Sequence, residues 1–330
     1  MQAISRLSSG SIGAIGLILI AMTGFAMQDI AVKLVTADST LWQLMFVRST
    51  ATLGLMVFVV AVLGRGTSLV PQRWGWPLVR ATFMCGAYLL FYASLSELTV
   101  TVAAATFYTG PLIISLLGAA ILAEPIGPRR IAAVVIGFAG VLVIVRPGAD
   151  EFQLASLMPL GAALCYASGT IVTRWRCREE ANFALSLVHN LLYANIGMLG
   201  VLILPLLHVP EAAKAEFPFL LNAWMEVSAL SALLMVLTAG THLLGILCTV
   251  SAYQMEDASR IAPFEYAYLA IIPVLEFVIW DHVPDHWTML GIGMIAIAGI
   301  FVAWREGRPV RPRIQTPDKE PWTPGSQDGT

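Results

Sequence analysis

Long blocks of apolar residues, separated by short polar connections, dominate the pattern along this chain. A helix needs roughly 20 apolar residues to cross a bilayer. Windows of that length predict ten spans, at about 12–36, 41–63, 76–96, 99–123, 129–146, 153–173, 184–207, 228–253, 258–280 and 286–304. The connections are short except 64–75 and 208–227, and residues 1–11 form an N-terminal segment before the first span. From 305 to 330 the chain turns Pro-rich and charged, the composition of a disordered tail. Arg6, an apolar run and Gly24-x-Ala26 imitate a secretory signal. The apolar run continues to Val35, long enough to span, so it reads as the first span.

The pattern occurs twice. Residues 97–148 and 256–307 align without a gap at a constant shift of 159. Glu97 meets Glu256, Pro125 meets Pro284, Ala139-Gly140 meets Ala298-Gly299, and Arg146-x-Gly148 meets Arg305-x-Gly307. Upstream, Thr82 and Gly86 meet Thr241 and Gly245. Self-similarity at a fixed shift marks a repeat, here two five-span units over 12–148 and 153–304.

Lys and Arg collect on one side of the predicted spans. With the N-terminus inside, the inner side holds Arg6, Arg65, Arg73, Arg129, Arg130, Arg174, Arg176, Arg178, Arg260, Arg305, Arg308, Arg311, Arg313 and Lys319. The outer side holds Arg146 and Lys214. Basic loops stay cytoplasmic, so both termini are expected on the cytoplasmic side of a cell inner membrane. Five spans is an odd number, so the second unit enters from the opposite side. Inverted repeats of this kind characterise many secondary transporters.

Composition agrees: 58% of residues are apolar and 12% charged, with a mean hydropathy of +0.77. Soluble domains carry about 25% charged residues, so this is an integral membrane protein. The scattered basic residues give no nucleic-acid footprint. Cys85, Cys165 and Cys248 fall inside spans and Cys177 in a basic loop, with no metal-ligand spacing, so free thiols are expected. HExxH, GxSxG and GxxxxGK[ST] are all missing from the sequence. No enzyme chemistry, metal or cofactor is expected, and transport would have to run on a gradient.

The repeat unit resembles a known family. The fourth and fifth spans of the first half carry Ala103-Ala104-Ala105, Pro111, Glu124-Pro125, Gly137, Gly140 and Arg146-Pro147-Gly148. This is similar to the EamA-type unit of the drug/metabolite transporter superfamily. The second half departs from it, with His282-Val283-Pro284 where an acidic residue usually precedes the turn. Asp29-x-x-x-Lys33, Gln43 and Arg48 resemble a subgroup that includes riboflavin and S-adenosylmethionine uptake proteins. The resemblance covers about 12–305 and implies an all-α fold of ten transmembrane helices, with spans 1, 3, 4, 6, 8 and 9 around a central cavity.

Ionisable groups at membrane depth are costly and need a partner or a use. Asp29 and Arg48 each lie about seven residues from the outer end of their spans, roughly 10 Å deep at 1.5 Å per residue. An Asp29–Arg48 ion pair is expected, or an i, i+4 pair of Asp29 with Lys33. The cluster would bind a charged substrate group or a proton, or else hold two helices together. Glu265 and Glu276 share a face of span 9 with Tyr268, and Pro273 should kink that span. His242 is a candidate proton relay, whereas His189 and Arg80 read as interfacial. Tyr88, Tyr92, Thr106, Tyr108, Thr109, Tyr166, Thr170 and Tyr266 are candidate lining residues of the spans expected around the cavity. The repeat shift pairs Thr106 with Glu265 and Thr109 with Tyr268, a quartet expected to converge. Trp74, Trp76, Trp280, Trp287 and Trp304 sit at span ends and read as interface anchors.

The functional expectation is a secondary active transporter working by alternating access. Its substrate would be a small polar organic metabolite, amino-acid-like or riboflavin-like, with the proton as a candidate coupling ion. Membrane lipid is the other expected partner. The alternative is a channel or a non-transporting membrane receptor.

Overall fold

The computed structural model describes residues 2–63, 70–124, 126–147, 153–255 and 258–306. Among them every regular element is a helix. They are α1 (Gln2–Val35), α2 (Leu41–Leu63), α3 (Gly75–Ser94), α4 (Val100–Phe107), α5 (Gly110–Leu122) and α6 (Pro128–Val145), then a 3-10 turn at Leu154–Leu157. The second half has α7 (Met158–Arg176), α8 (Asn182–Ile203), a 3-10 turn at Leu204–Leu206, and the short α9 (Glu211–Glu216) and α10 (Pro218–Leu221). It ends with α11 (Ala229–Met255), α12 (Ala258–Glu265), α13 (Tyr268–Trp280) and α14 (His286–Glu306). Nine segments of the described residues are long and apolar enough to cross a membrane. The 20-residue α3, which carries Arg80, is a further long helix. Each predicted span thus falls on a helix or a helix pair. The expected tail from 307 onward lies outside the described residues.

Two spans are broken, and a proline accounts for the first. Tyr108 N–H bonds Ala104 O at 2.9 Å, Thr109 N–H falls back to Thr106 O at 3.2 Å, and α5 restarts with Pro111 in its first turn. A proline there has no N–H to continue the ladder. In the second half, Tyr266 N–H bonds Pro263 O at 3.3 Å and Ala267 N–H bonds Phe264 O at 3.1 Å. Span 9 is therefore interrupted at Tyr266-Ala267, upstream of Pro273, which lies inside α13. The expected face linking Glu265 to Glu276 does not survive this break.

The long helices pack in pairs: α1 on α11, α3 on α7, α2 on α8, α6 on α14, and α4 on α13. At the α6–α14 crossing, a Cβ on Gly140 would stand 2.9 Å from Gly291 O, and one on Gly291 would stand 2.6 Å from Gly140 O. Only hydrogen fits there, so the backbones touch, as in small-residue packing of membrane helices.

The loop after α8 is strapped over the α1–α2 corner. Trp42 Nε1 donates to Leu220 O at 2.9 Å. Gln43 Nε2 donates to Met225 O at 2.7 Å, and its Oε1 accepts from Met225 N–H at 3.0 Å. Asp38 accepts from Ser228 N–H at 3.0 Å and Ser231 Oγ at 2.6 Å. Phe219 is buried beneath the strap. At the same end Asp285 caps α14 through Thr288 N–H at 3.0 Å and pairs with Arg146 at 2.7 Å. At the opposite end Glu180 accepts from Gln72 and Arg73 N–H groups, and Arg176 lies over Trp76 and Trp175.

Candidate functional site

A cavity of about 540 Å³ lies between the paired helices, within the range of small-molecule sites. One end is a polar layer built by α1, α3 and α13. Tyr268 donates its hydroxyl to Asp29 Oδ2 at 2.5 Å. Gln28 Nε2 donates to Tyr92 Oη at 3.1 Å and lies 3.4 Å from Asp29 Oδ1. Arg48, on α2, donates to the same Tyr92 oxygen. Its guanidinium carbon lies 5.2 Å from the Tyr88 ring centroid and 5.3 Å from that of Tyr92. Arg48 is buried behind this tyrosine wall and does not line the cavity. The expected Asp29–Arg48 ion pair is therefore relayed through Tyr92 and Gln28. At membrane depth the positive charge behind the wall disperses into ring faces and a hydroxyl, a cation–π arrangement.

Aromatic side chains form the walls. Tyr108 stacks on Tyr268 at 5.0 Å, with 16° between the planes, and its hydroxyl donates to Glu265 O at 3.3 Å. Across the cavity, His189 stacks on Tyr193 at 5.6 Å, and Tyr88 meets His189 at 5.4 Å and His242 at 6.2 Å. Phe107 contacts Tyr166 and Phe91. At the other end the lining is Arg80, Thr173, Arg174 and Ser186. Arg174 pairs with Glu124 there, and Arg80 Nε donates to Thr173 Oγ1 at 2.8 Å.

Of the expected site residues, Asp29, Tyr88, Tyr92, Tyr108, Tyr166, His242, Glu265 and Tyr268 line this cavity, as does Thr170. Six do not. Lys33 turns from Asp29 and clamps Leu95 O at 2.5 Å and Leu98 O at 2.9 Å, where α3 ends. Its long chain reaches backbone carbonyls that no helix partner satisfies. Glu276 accepts from Val100 N–H at 2.6 Å and Thr101 N–H at 3.1 Å, capping α4 from another helix. Free N–H groups and a positive dipole end make that terminus a natural carboxylate site. Arg48 stands behind the tyrosines. Thr106 and Thr109 are fully buried, with Thr109 Oγ1 donating back to Thr106 O at 2.7 Å. The expected quartet is thus a pair, Glu265 and Tyr268. Tyr266 turns outward against α14, where its ring occupies the space a side chain at Gly299 would need.

Sequence reasoning placed Arg80 and His189 at an interface, but both line the cavity. His189 comes from α8 together with Ser186 and Asn190, so span 7 joins the expected lining set. The signal available was the polar face Ser186-x-x-His189-Asn190 in an otherwise apolar helix. Among the described residues no His, Cys, Asp and Glu cluster forms a metal site.

The chain also resembles known proteins. Residues 12–146 match the EamA-like transporter family. The chain is 25% identical over 273 residues to a riboflavin transporter of Vibrio cholerae, covering 79% of this chain and 85% of that one. It is 24% identical over 220 residues to an S-adenosylmethionine uptake transporter of Rickettsia bellii, covering 67% and 69%. A solved crystal structure superposes with a TM-score of 0.57 at 18% identity, over 91% of this chain and 98% of that chain, a likeness of fold alone. With its all-helical membrane architecture and its matched first unit, the chain resembles the EamA-like transporter family, whose model matches residues 12–146.

Proposed function

We propose that the protein is a secondary active transporter that carries a small polar metabolite with a flat heteroaromatic ring by alternating access. The observation that carries this reading is the cavity itself, walled by stacked aromatic rings and ending at the Asp29–Tyr268 layer. The relatives named for riboflavin and S-adenosylmethionine transport both imply ring-bearing polar solutes. Rings stack on Tyr88, Tyr108, Tyr268 and the two histidines, while Asp29 and Glu265 take hydrogen-bond donors or a cationic group.

Two features support an inverted pair of five-span units over 12–148 and 153–304. The helix pairings are self-consistent under exchange of the halves, since α1–α11 maps onto α7–α3. The span breaks at 108–109 and 266–267 fall within a residue or two of the 159 shift. Units related in this way exchange conformations around a central site. With both termini cytoplasmic, as the arginine distribution favours, the Arg80 end of the cavity faces the cytoplasm. The end tied by Lys33 and Glu276 faces outward.

Counterflow in proteoliposomes tests the proposal. Vesicles preloaded with riboflavin or with S-adenosylmethionine should accumulate the labelled same compound transiently and with saturation. Linear, non-saturating flux without counterflow is the behaviour of a channel and overturns the carrier reading.

A further inference from the structure

Arg80 is a guanidinium about five residues into α3, roughly 7 Å along the helix at 1.5 Å per residue, and it lines the cavity. One nitrogen, Nε, is used by Thr173 Oγ1 at 2.8 Å. The other cations near the cavity are accounted for: Arg174 pairs with Glu124, and Arg48 is held by Tyr92 and two ring faces. Among the described residues no carboxylate pairs with Arg80. The ionisable groups acting on it are Cys177, Tyr166, Tyr88 and Cys85, none an acid at neutral pH. Ser186 and Asn190, on α8, line the same cavity. His189 adds a buried Nδ1 with no hydrogen-bond partner. A half-buried cation with open N–H groups facing a wet cavity is an anion site, because guanidinium forks match carboxylate and phosphate oxygens.

Resting on the transporter reading of this cavity, we infer that Arg80, with Thr173 and Ser186 beside it, is an anion subsite that selects substrates bearing a carboxylate or phosphate. The ring lies against the tyrosine–histidine walls and the anionic tail points to the Arg80 end. Asp29 bars an anion from the opposite end by like-charge repulsion, which fixes the orientation. The substrate class is therefore an aromatic anion or zwitterion rather than a neutral ring compound.

Matched ligand pairs test this on the purified full-length chain in uncharged detergent. Riboflavin is compared with riboflavin 5′-phosphate, and S-adenosylmethionine with its decarboxylated form, by thermal shift and equilibrium binding. The member of each pair that carries the carboxylate or phosphate should bind wild type at least about tenfold tighter, as expected for a charge-assisted fork. Arg80→Gln should abolish that preference while leaving the member without the carboxylate or phosphate within about twofold, and Arg80→Lys should keep part of it. A preference that survives in Arg80→Gln, or no preference in wild type, overturns the subsite. Phenyl phosphate decides the matter if none of the four ligands binds. Protection of wild type but not of Arg80→Gln supports the subsite even though the metabolite reading fails. Protection of neither overturns it. If Arg80 instead holds a lipid headgroup, Arg80→Gln will change stability only when anionic lipid is added and will leave every ligand preference intact, which also overturns the proposal. Failed counterflow with a ligand that binds through Arg80 removes transport and leaves the subsite standing.

Discussion

Asp29 has one strong hydrogen-bond donor, the Tyr268 hydroxyl at 2.5 Å, while Arg48 stands behind Tyr92 and reaches Asp29 only through Tyr92 and Gln28. The pairing was half legible in the sequence. Equal depth on α1 and α2 put Asp29 and Arg48 in one layer, but depth along a helix says nothing about which way a side chain turns. The donor came from a residue 239 positions away. Tyr268→Phe should therefore lower transport by about tenfold or more, the scale of losing a hydrogen bond to a charged group at 1.5–3 kcal/mol. Asp29→Asn should lower it at least as much, both measured as initial counterflow rates. Glu276 behaves differently, because it touches α4 backbone and no cavity atom. Glu276→Gln keeps the shape, but its neutral amide holds Val100 and Thr101 less strongly. The expected outcome is a lower melting temperature with ligand affinity unchanged within about twofold, since the cost of about 1–3 kcal/mol falls on capping. A large loss of affinity at unchanged stability would place Glu276 in the binding site instead.

Apolar length predicted the spans to within a few residues, apart from the start of α1 at Gln2 and the breaks in spans 4 and 9, and the strap could not be read at all. Residues 208–227 look like an ordinary polar loop, because backbone acceptors such as Leu220 O and Met225 O leave no mark in side-chain composition. Gln43 is instructive here. It looked like part of a subgroup signature around Asp29, yet it ties the strap with three hydrogen bonds to Thr40 and Met225. Gln43→Ala should reduce thermal stability while sparing the affinity of the cavity, which calorimetry and ligand titration would separate. Asp38 makes the same strap pH-sensitive. Burial is the largest single influence and acts against its charge, but the hydrogen bonds from Ser231 and Ser228 together outweigh it and hold the carboxyl below its ordinary value of 3.8. A depressed folded value means the stabilisation is complete above that ordinary value and fades as pH falls through the folded one. Melting temperature should thus lose a component below about pH 4 that Asp38→Asn lacks at every pH.

Taken whole, the bundle is tied at one end by Lys33 and Glu276, which grip opposite sides of the α3–α4 junction through carbonyls and amides. The position matching Glu276 under the 159 shift is Leu117, so the repeat supplies no equivalent grip at the other end. The two ends should therefore open with unequal ease. Thr99→Cys on a cysteine-free background should label slowly with an impermeant maleimide, and faster when Lys33→Met or Glu276→Gln is added. Labelling unaffected by either change would mean the junction does not act as a gate. The repeat pattern made the architecture readable, but its asymmetries, which set the preferred state, lie in single substitutions that no periodicity reveals. Tyr266 carries one more consequence. Its ring sits in the gap left at Gly299 on a buried face of α14, a helix whose other faces expose Ile297 and Ile300, and its other side abuts Tyr108. Gly299→Ala should push that ring toward the Tyr108–Tyr268 stack and weaken ligand binding from outside the cavity. By the same route, the lateral pressure of the surrounding membrane can reach the solute's berth, so affinity should vary with lipid composition in nanodiscs and lose that dependence when Tyr266 is replaced by Leu.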